Sequence, residues 1–337
     1  MHVGFIGAGT VGTALAVTLS SHGYVVSAVA SRSLSSAQRL ADAVNEVVPG
    51  TCSARPESQQ VADCCDLVFV TTPDDAVVEV AQRTRWRPGQ FVVHCSGALS
   101  NDSLRSVAAT GAIVGGFHPL QSFAGVAEAI QNIPGSMFGL EAEEPLLTVL
   151  VEMAEKLNGR WVRLRAEDKV LYHAAAVMTS NYTVALMKMA TDLWLQFGVS
   201  RAEATQALLP LLRGTVSNIA RIGLPGCLTG PIARGDFGTV EKHLAALDAK
   251  APSLAEAYRE IGLQAVEVSA AKGKASPEQI QRLRALLANG DHRPATVAVA
   301  AAAPAGDDGC RPNGNGRNDH RRTSTRKETK CASLSLR

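Results

Sequence analysis

Three stretches of this chain carry side chains able to move protons beside a bound small molecule. Gly115-Gly116-Phe117-His118-Pro119-Leu120-Gln121-Ser122-Phe123 sets a histidine directly before a proline. Proline biases the residue before it toward an extended backbone, so His118 is expected to project from a strand end. An imidazole there, with a pKa near neutrality, can donate to a carbonyl or take an alcohol proton. Lys169 and His173 are spaced i, i+4 and so share one face of a helix; Ser180 falls on that face, with Asn181 beside it. A lysine at a helix start gains nothing from the dipole. Inside a cleft it can protonate a developing alkoxide or amine. The sequence is equally compatible with a solvated Lys169 paired with Asp168 or Glu167. His94-Cys95-Ser96-Gly97-Ala98 adds Ser96, either a hydrogen-bond donor in the site or a plain turn serine.

The elements that must position these residues divide the chain in two. Runs at 2–6, 24–30, 67–71, 90–94 and 112–116 read as buried strands, and segments at about 10–21, 34–47, 74–84 and 100–109 are helix-compatible. That alternation predicts an α/β fold, a Rossmann-type doubly wound parallel sheet with helices on both faces. A strand at 136–140, a helix at 143–157 and a strand at 160–164 extend it. From Glu167 the strand signals stop. Residues 167–197 run without Pro or Gly and predict one long helix, followed by helices at about 201–222, 237–248, 252–272 and 277–288. The expected organisation is a nucleotide-binding domain over 1–165, an all-helical domain over 166–290 and a disordered basic tail over 291–337.

Gly7-Ala8-Gly9-Thr10-Val11-Gly12 is a GxGxxG between the first strand and the first helix. Gly7 permits the tight turn, Gly9 lets a pyrophosphate approach the backbone, and Gly12 lets helix and strand pack closely. The phosphates then meet free N–H groups of Thr10 and Val11 at a positive helix end. The second strand ends in Ala30-Ser31-Arg32-Ser33, where a site for NAD would carry an acid for the ribose 2′-hydroxyl. Arg32 can grip a 2′-phosphate bidentately with Ser31 and Ser33 donating, which selects NADP(H). Val70-Thr71-Thr72-Pro73-Asp74 closes another strand, and Thr72 and Pro73 are expected to line the cofactor.

Bulk properties exclude several classes. The net charge is +2, and the segment from Asp307 onward holds eight Lys/Arg against four acids, leaving the rest of the chain slightly acidic. Neither a nucleic-acid nor a membrane partner is expected. Seven cysteines without a CxxC pair point to reduced thiols, no metal site and a cytoplasmic setting. The strand that starts directly after Met1 leaves no room for a signal peptide. Aromatic residues make up only 4% of the chain, so the core should be mainly Ala, Val and Leu.

GAGTVG, the SRS turn, the helix opening DKxxxH and the all-helical second half together resemble the 6-phosphogluconate dehydrogenase-like superfamily. That group includes ketopantoate reductases, pyrroline-5-carboxylate reductases, β-hydroxyacid dehydrogenases and prephenate dehydrogenases. GFHPLQSF, DKVLYHAAAVMTSNY and LTGPIARGD are similar to a bacterial subgroup of Rossmann-like NADP oxidoreductases. The resemblance covers about residues 1–290. It implies a proton donor at Lys169, matching the lysine of a KxxxN pair, although His173 stands where that asparagine would be. Gly116-Phe117-His118-Pro119-Leu120 is similar to a GxHPM stretch whose histidine contacts substrate. The resemblance further implies a small 2-oxo acid substrate of the ketopantoate type and a homodimer formed through the helical domain. An imine reductase of the pyrroline-5-carboxylate type, or a non-catalytic NADP(H) sensor, would share the cradle.

Overall fold

The computed structural model describes residues 1–288. Their strands are β1 (His2–Ile6), β2 (Val25–Ala30), β3 (Ser53–Arg55), β4 (Leu67–Val70), β5 (Phe91–His94), β6 (Ile113–Leu120), β7 (Met137–Glu141) and β8 (Arg160–Arg163). They form one sheet in the order β3-β2-β1-β4-β5-β6-β7-β8. The chain reverses direction between β1 and β4, and in such sheets ligands bind beyond the carboxyl ends of the strands at that switch.

Strands β1 to β6 pair in parallel, as alternation with helices requires, and β7 runs antiparallel to β6. Strand β6 changes partner along its length. Ile113–Gly116 pair with Phe91–His94 of β5, while Gly116–Leu120 pair with Met137–Glu141 of β7. His118 therefore lies inside a strand rather than at its end, which corrects the sequence expectation. The second pairing holds the backbone extended past Pro119, whose missing N–H would otherwise weaken it. His118 nevertheless sits two residues beyond the last β5 pair, so its side chain meets the residues that follow β5.

Helices α1 (Thr10–Ser21), α2 (Leu34–Val47), α3 (Ser58–Cys64), α4 (Asp74–Arg83), α5 (Arg105–Ala108), α6 (Val126–Asn132) and α7 (Leu146–Lys156) cover the sheet. The sequence reading missed β3, α3 and α6, each too short to show a period. One apolar layer gathers Leu15, Leu19, Leu40, Val44, Leu146 and Leu150; the other gathers Val61, Val68, Val77, Val92 and Leu104. The first also holds a run of rings, Phe5–Phe69–Phe117–Phe138, with centroids 5.1, 5.8 and 4.7 Å apart. Half of the chain's eight phenylalanines thus stand in one row under the sheet, concentrating the scarce aromatic burial.

The helical part comprises α8 (Lys169–Thr179), α9 (Asn181–Leu195), α10 (Arg201–Ile222), α11 (Gly230–Ala233), α12 (Phe237–Lys250), α13 (Pro252–Lys272) and α14 (Pro277–Ala288). The single long helix expected over 167–197 is instead a 3-10 turn (Ala166–Asp168) followed by two helices that meet at Ser180. Three consecutive short polar residues, Thr179, Ser180 and Asn181, lie at the break. Thr179 Oγ1 donates to Ala175 O and Thr183 Oγ1 to Thr179 O, and such side chains compete with helical backbone bonding. Val240, Leu244, Val266, Ile280, Leu283 and Leu287 form a separate core among α12, α13 and α14. The stretch expected to be a basic tail lies outside the described residues, as do Cys310 and Cys331. None of the described helices is long and apolar enough to cross a membrane.

Candidate active site

The glycine turn has the shape its composition implies. Gly7 has φ +116°, and a Cβ there would lie 2.6 Å from Thr71 C, so only glycine fits. Gly7 N donates to Ala30 O at 2.8 Å, and Thr71 Oγ1 donates to Gly7 O at 2.7 Å, tying the turn to β2 and β4. A Cβ at Gly12 would strike Gly7 O and Thr71 Oγ1. Gly9 is different. It is exposed, nothing lies within 4 Å of where its Cβ would be, and it caps α1 without a side-chain hydrogen bond. The first N–H groups of α1, those of Thr10 and Val11 included, thus face an open cradle able to receive a diphosphate.

Around it stand the other expected cofactor contacts. Ser31 is half-buried at the end of β2 and Arg32 is exposed beside it. Ser33 caps α2, accepting from Ser36 N at 3.4 Å and lying 2.6 Å from Ser35 Oγ, so its hydroxyl already has local work. Thr72 Oγ1 is buried without a hydrogen-bond partner, and Pro73 is exposed at the start of α4.

The polar cluster lies beyond β5 and β6. Lys169, the first residue of α8, is completely buried, and its Nζ donates to Ser96 O at 3.0 Å. Asp168 turns away to Arg165, Nε to Oδ2 at 2.8 Å. The solvated alternative left open by the sequence is thereby closed. Glu141, the last residue of β7, approaches Lys169 Nζ to 3.7 Å with Oε2, an ion pair longer than a hydrogen bond. Burial lowers the Lys169 pKa, an effect Glu141 opposes; burial likewise raises that of Glu141, against the pull of the Asn101 N–H and of Lys169.

Two imidazoles face each other across Gly97. The His118 and His173 rings are 6.0 Å apart and edge-on. A Cβ on Gly97 would lie 2.5 Å from His173 Nδ1 and 2.8 Å from His118 Nε2. His118 Nδ1 is 2.9 Å from Tyr172 Oη. Burial first, then the charges of Lys169 and His173, push the His118 pKa down to about 4, so the ring is neutral near pH 7.

Ser96 is the turn serine. Its hydroxyl donates to Asp74 Oδ2 at 2.6 Å and accepts from Leu99 N at 3.0 Å; only its carbonyl reaches Lys169. Asn181 is exposed at the start of α9 and its side chain makes no hydrogen bond to the cluster.

Sequence reasoning missed four members. His94 ends β5 fully buried, with neither ring nitrogen partnered and its pKa pushed down to about 3 by burial and by Lys169. Glu141 and Tyr172 come from distant segments, and Gly97 provides the space between the rings. The signals were present: His94 and Gly97 flank Ser96, and Tyr172 lies between Lys169 and His173. No group of three or more His, Cys, Asp or Glu suited to a metal occurs among the described residues.

Comparison with known proteins agrees with this architecture. Protein TM1727 from Thermotoga maritima superposes with TM-score 0.64 at 28% identity, over 80% of this chain and 99% of that one. A presumed NADP oxidoreductase from Bacteroides fragilis superposes with TM-score 0.63 at 24% identity, over 79% and 98%. The fold extends to a Plasmodium falciparum pyrroline carboxylate reductase with NADP bound, at TM-score 0.52 and 13% identity over 85% and 99%. No curated protein matches the sequence. Residues 1–119 match the Rossmann-like domain and residues 136–265 match the Domain of unknown function (DUF2520), so the chain joins a Rossmann-like domain to a DUF2520 domain.

Proposed function

We propose that this chain is an NADP(H)-dependent reductase acting on the carbonyl group of a small 2-oxo acid of the ketopantoate type. The observation that carries the reading is Lys169. It is a fully buried amine held against Ser96 O, beside two imidazoles and at the same edge of the sheet as an open glycine cradle. Gly9 and the uncapped start of α1 would hold the diphosphate, Arg32 with Ser31 the 2′-phosphate, and Thr72 the nicotinamide end. The bound cofactor would supply the hydride. Lys169, its pKa lowered by burial, is the proton donor. His118, neutral and held by Tyr172, orients the substrate oxygen. The fold shared with the presumed oxidoreductase and with the NADP-bound pyrroline carboxylate reductase supports the cofactor.

A cyclic imine would use the same donors, and the shared fold with the pyrroline carboxylate reductase makes it the second reading. The test is NADPH oxidation across a panel of 2-oxo acids and cyclic imines. Steady turnover with a 2-oxo acid supports the proposal, whereas turnover confined to imines replaces it with the second reading. Tight NADPH binding with no turnover on any compound would make the chain a sensor. Arg32→Asp is expected to weaken NADPH binding far more than NADH binding; equal losses would remove Arg32 from the 2′-phosphate site.

We also infer that the helical part pairs with a second copy. Helix α10 runs 22 residues with one buried side chain, Ala204, and exposes Leu211 (69%), Val216 (57%) and Ile222 (62%). Helices α8 and α9 similarly expose Leu171 (76%) and Val184 (70%). Apolar surface spread over three adjacent helices is what a subunit interface covers. Sedimentation of the intact protein as a monomer at micromolar concentration would remove this inference.

A further inference from the structure

Lys169 is sealed from solvent, so a proton it gives up must be replaced through the protein. One route is open. Glu141 stands between Lys169 and a cleft of about 910 Å³ lined by Asn101, Glu141, Glu143, Arg163, Arg165 and Asp168. Its two carboxylate oxygens are used unequally. Oε1 accepts from Asn101 N at 2.9 Å, and Asn101 Nδ2 donates to Glu141 O at 2.8 Å, so the side chain is pinned from the cleft side. Oε2 is buried, has no hydrogen-bond partner, and lies 3.7 Å from Lys169 Nζ. The register explains how the carboxylate reaches this point. Glu141 pairs with Gly116, and a Cβ on Gly116 would come within 3.3 Å of both Lys169 Nζ and His94 Nε2. A side chain at Gly116 would crowd the space in which Glu141 and Lys169 approach.

We propose that Glu141 is the residue through which Lys169 is reprotonated from this cleft, a positioning and relay role resting on the reading of Lys169 as the proton donor. After the Lys169 ammonium transfers a proton to the substrate oxygen, the Glu141 carboxylate takes a proton from cleft water. The resulting carboxyl passes it to the neutral amine and restores the ion pair. One proton enters for each that leaves, and no electrons move. Burial favours the protonated carboxyl and the neutral amine in this pair, which are the states the relay passes through. The other titratable groups around Lys169 do not offer this path. His94, at the end of β5, is buried with a pKa near 3; Cys95 is pushed up to about 12; His118 on β6 faces Gly97 and Tyr172; and Asp74 on α4 is engaged by Ser96. The cleft's own ion pairs, Arg163 with Glu143 at 2.7 Å and Arg165 with Asp168 at 2.8 Å, leave Glu141 as the lining acid that contacts Lys169.

The test needs neither cofactor nor substrate. Solvent exchange of the Lys169 Nζ protons, followed by ¹⁵N NMR on the intact protein, should slow by about tenfold or more in Glu141→Gln, a size suited to loss of a proton-transfer group. The glutamine keeps an acceptor for Asn101 N, so the fold is retained. Glu141→Asp should restore part of the rate, and added acetate should speed exchange in Glu141→Gln but not in the native protein. Equal exchange in all three proteins, or slowing that neither aspartate nor acetate relieves, would overturn the relay. Absence of turnover on every substrate would remove the reductase reading without touching this measurement. If a substrate is found, Glu141→Gln should slow steady-state turnover more than the first hydride transfer.

Discussion

Tyr172 Oη reaches across Gly139 to lie 2.9 Å from His118 Nδ1, joining residues 54 positions apart in sequence. His118 pairs with Gly139 in the β6–β7 ladder, and a Cβ on that glycine would come within 2.8 Å of the phenol oxygen. Burial raises the Tyr172 pKa to about 12, so the phenol keeps its proton and is able to donate it to an unprotonated Nδ1. With the phenol as donor, the imidazole proton resides on Nε2, facing Gly97 and the second histidine. A hydrogen bond to one ring nitrogen fixes what the other can do.

Tyr172→Phe should release that tautomer. We expect the ¹⁵N shifts of His118 to show a mixture of Nδ1-H and Nε2-H forms, with kcat reduced about tenfold, the worth of one hydrogen bond of about 1.5 kcal/mol. Unchanged shifts would mean that the phenol does not set the tautomer.

Gly97→Ala places a methyl group 2.5 Å from His173 Nδ1 and 2.8 Å from His118 Nε2. At least one ring must rotate, and the gap in which a substrate oxygen would sit closes. Turnover should fall by at least about 10²-fold, as expected when catalytic groups are displaced by about 1 Å. The glycine cradle is remote in sequence and keeps its turn, so NADPH affinity should hold. Full activity would place the substrate elsewhere.

Lys169→Ala removes the buried donor. The expected loss in kcat is about 10²–10⁴-fold, the usual range for general acid catalysis, with NADPH binding preserved. Glu141, deprived of its cation, should titrate still higher. Turnover equal to that of the native protein would exclude Lys169 from the chemistry.

His94 gives a pH signature of the fold itself. Its folded pKa, pushed down to about 3, lies below its unfolded value of about 6.5. Between those values the unfolded chain binds more protons, so stability is complete above about pH 6.5 and falls as the pH drops toward 3. At pH 5 the loss from this one ring is about 2 kcal/mol. His94→Gln should therefore show a smaller fall in unfolding free energy between pH 7 and pH 5. A parallel fall in both proteins would show that His94 is not the group responsible.

Much of this protein is legible in local sequence. GxGxxG between a strand and a helix dictates a tight turn because only glycine tolerates φ +116° at Gly7 and contact with Thr71 at Gly12. Strands of Val, Ile and Phe spaced by amphipathic helices dictate a parallel sheet, and Arg32 without a neighbouring acid is the local feature behind the proposed choice of cofactor phosphate. These features depend on residues a few positions apart, whose backbone preferences and side-chain spacing act within one element. The polar cluster depends on something else. Whether Lys169 faces water or a carboxylate follows from how the start of α8 meets the ends of β5 and β7, and i, i+4 spacing says nothing of that. Glu141 becomes its partner only because β7 runs antiparallel to β6 and brings it opposite Gly116. His118 meets Tyr172 only because β6 passes β5 and continues along β7. The sequence determined which residues can carry protons; tertiary packing decided which of them lose their water and meet, and desolvation gives them their shifted pKa values.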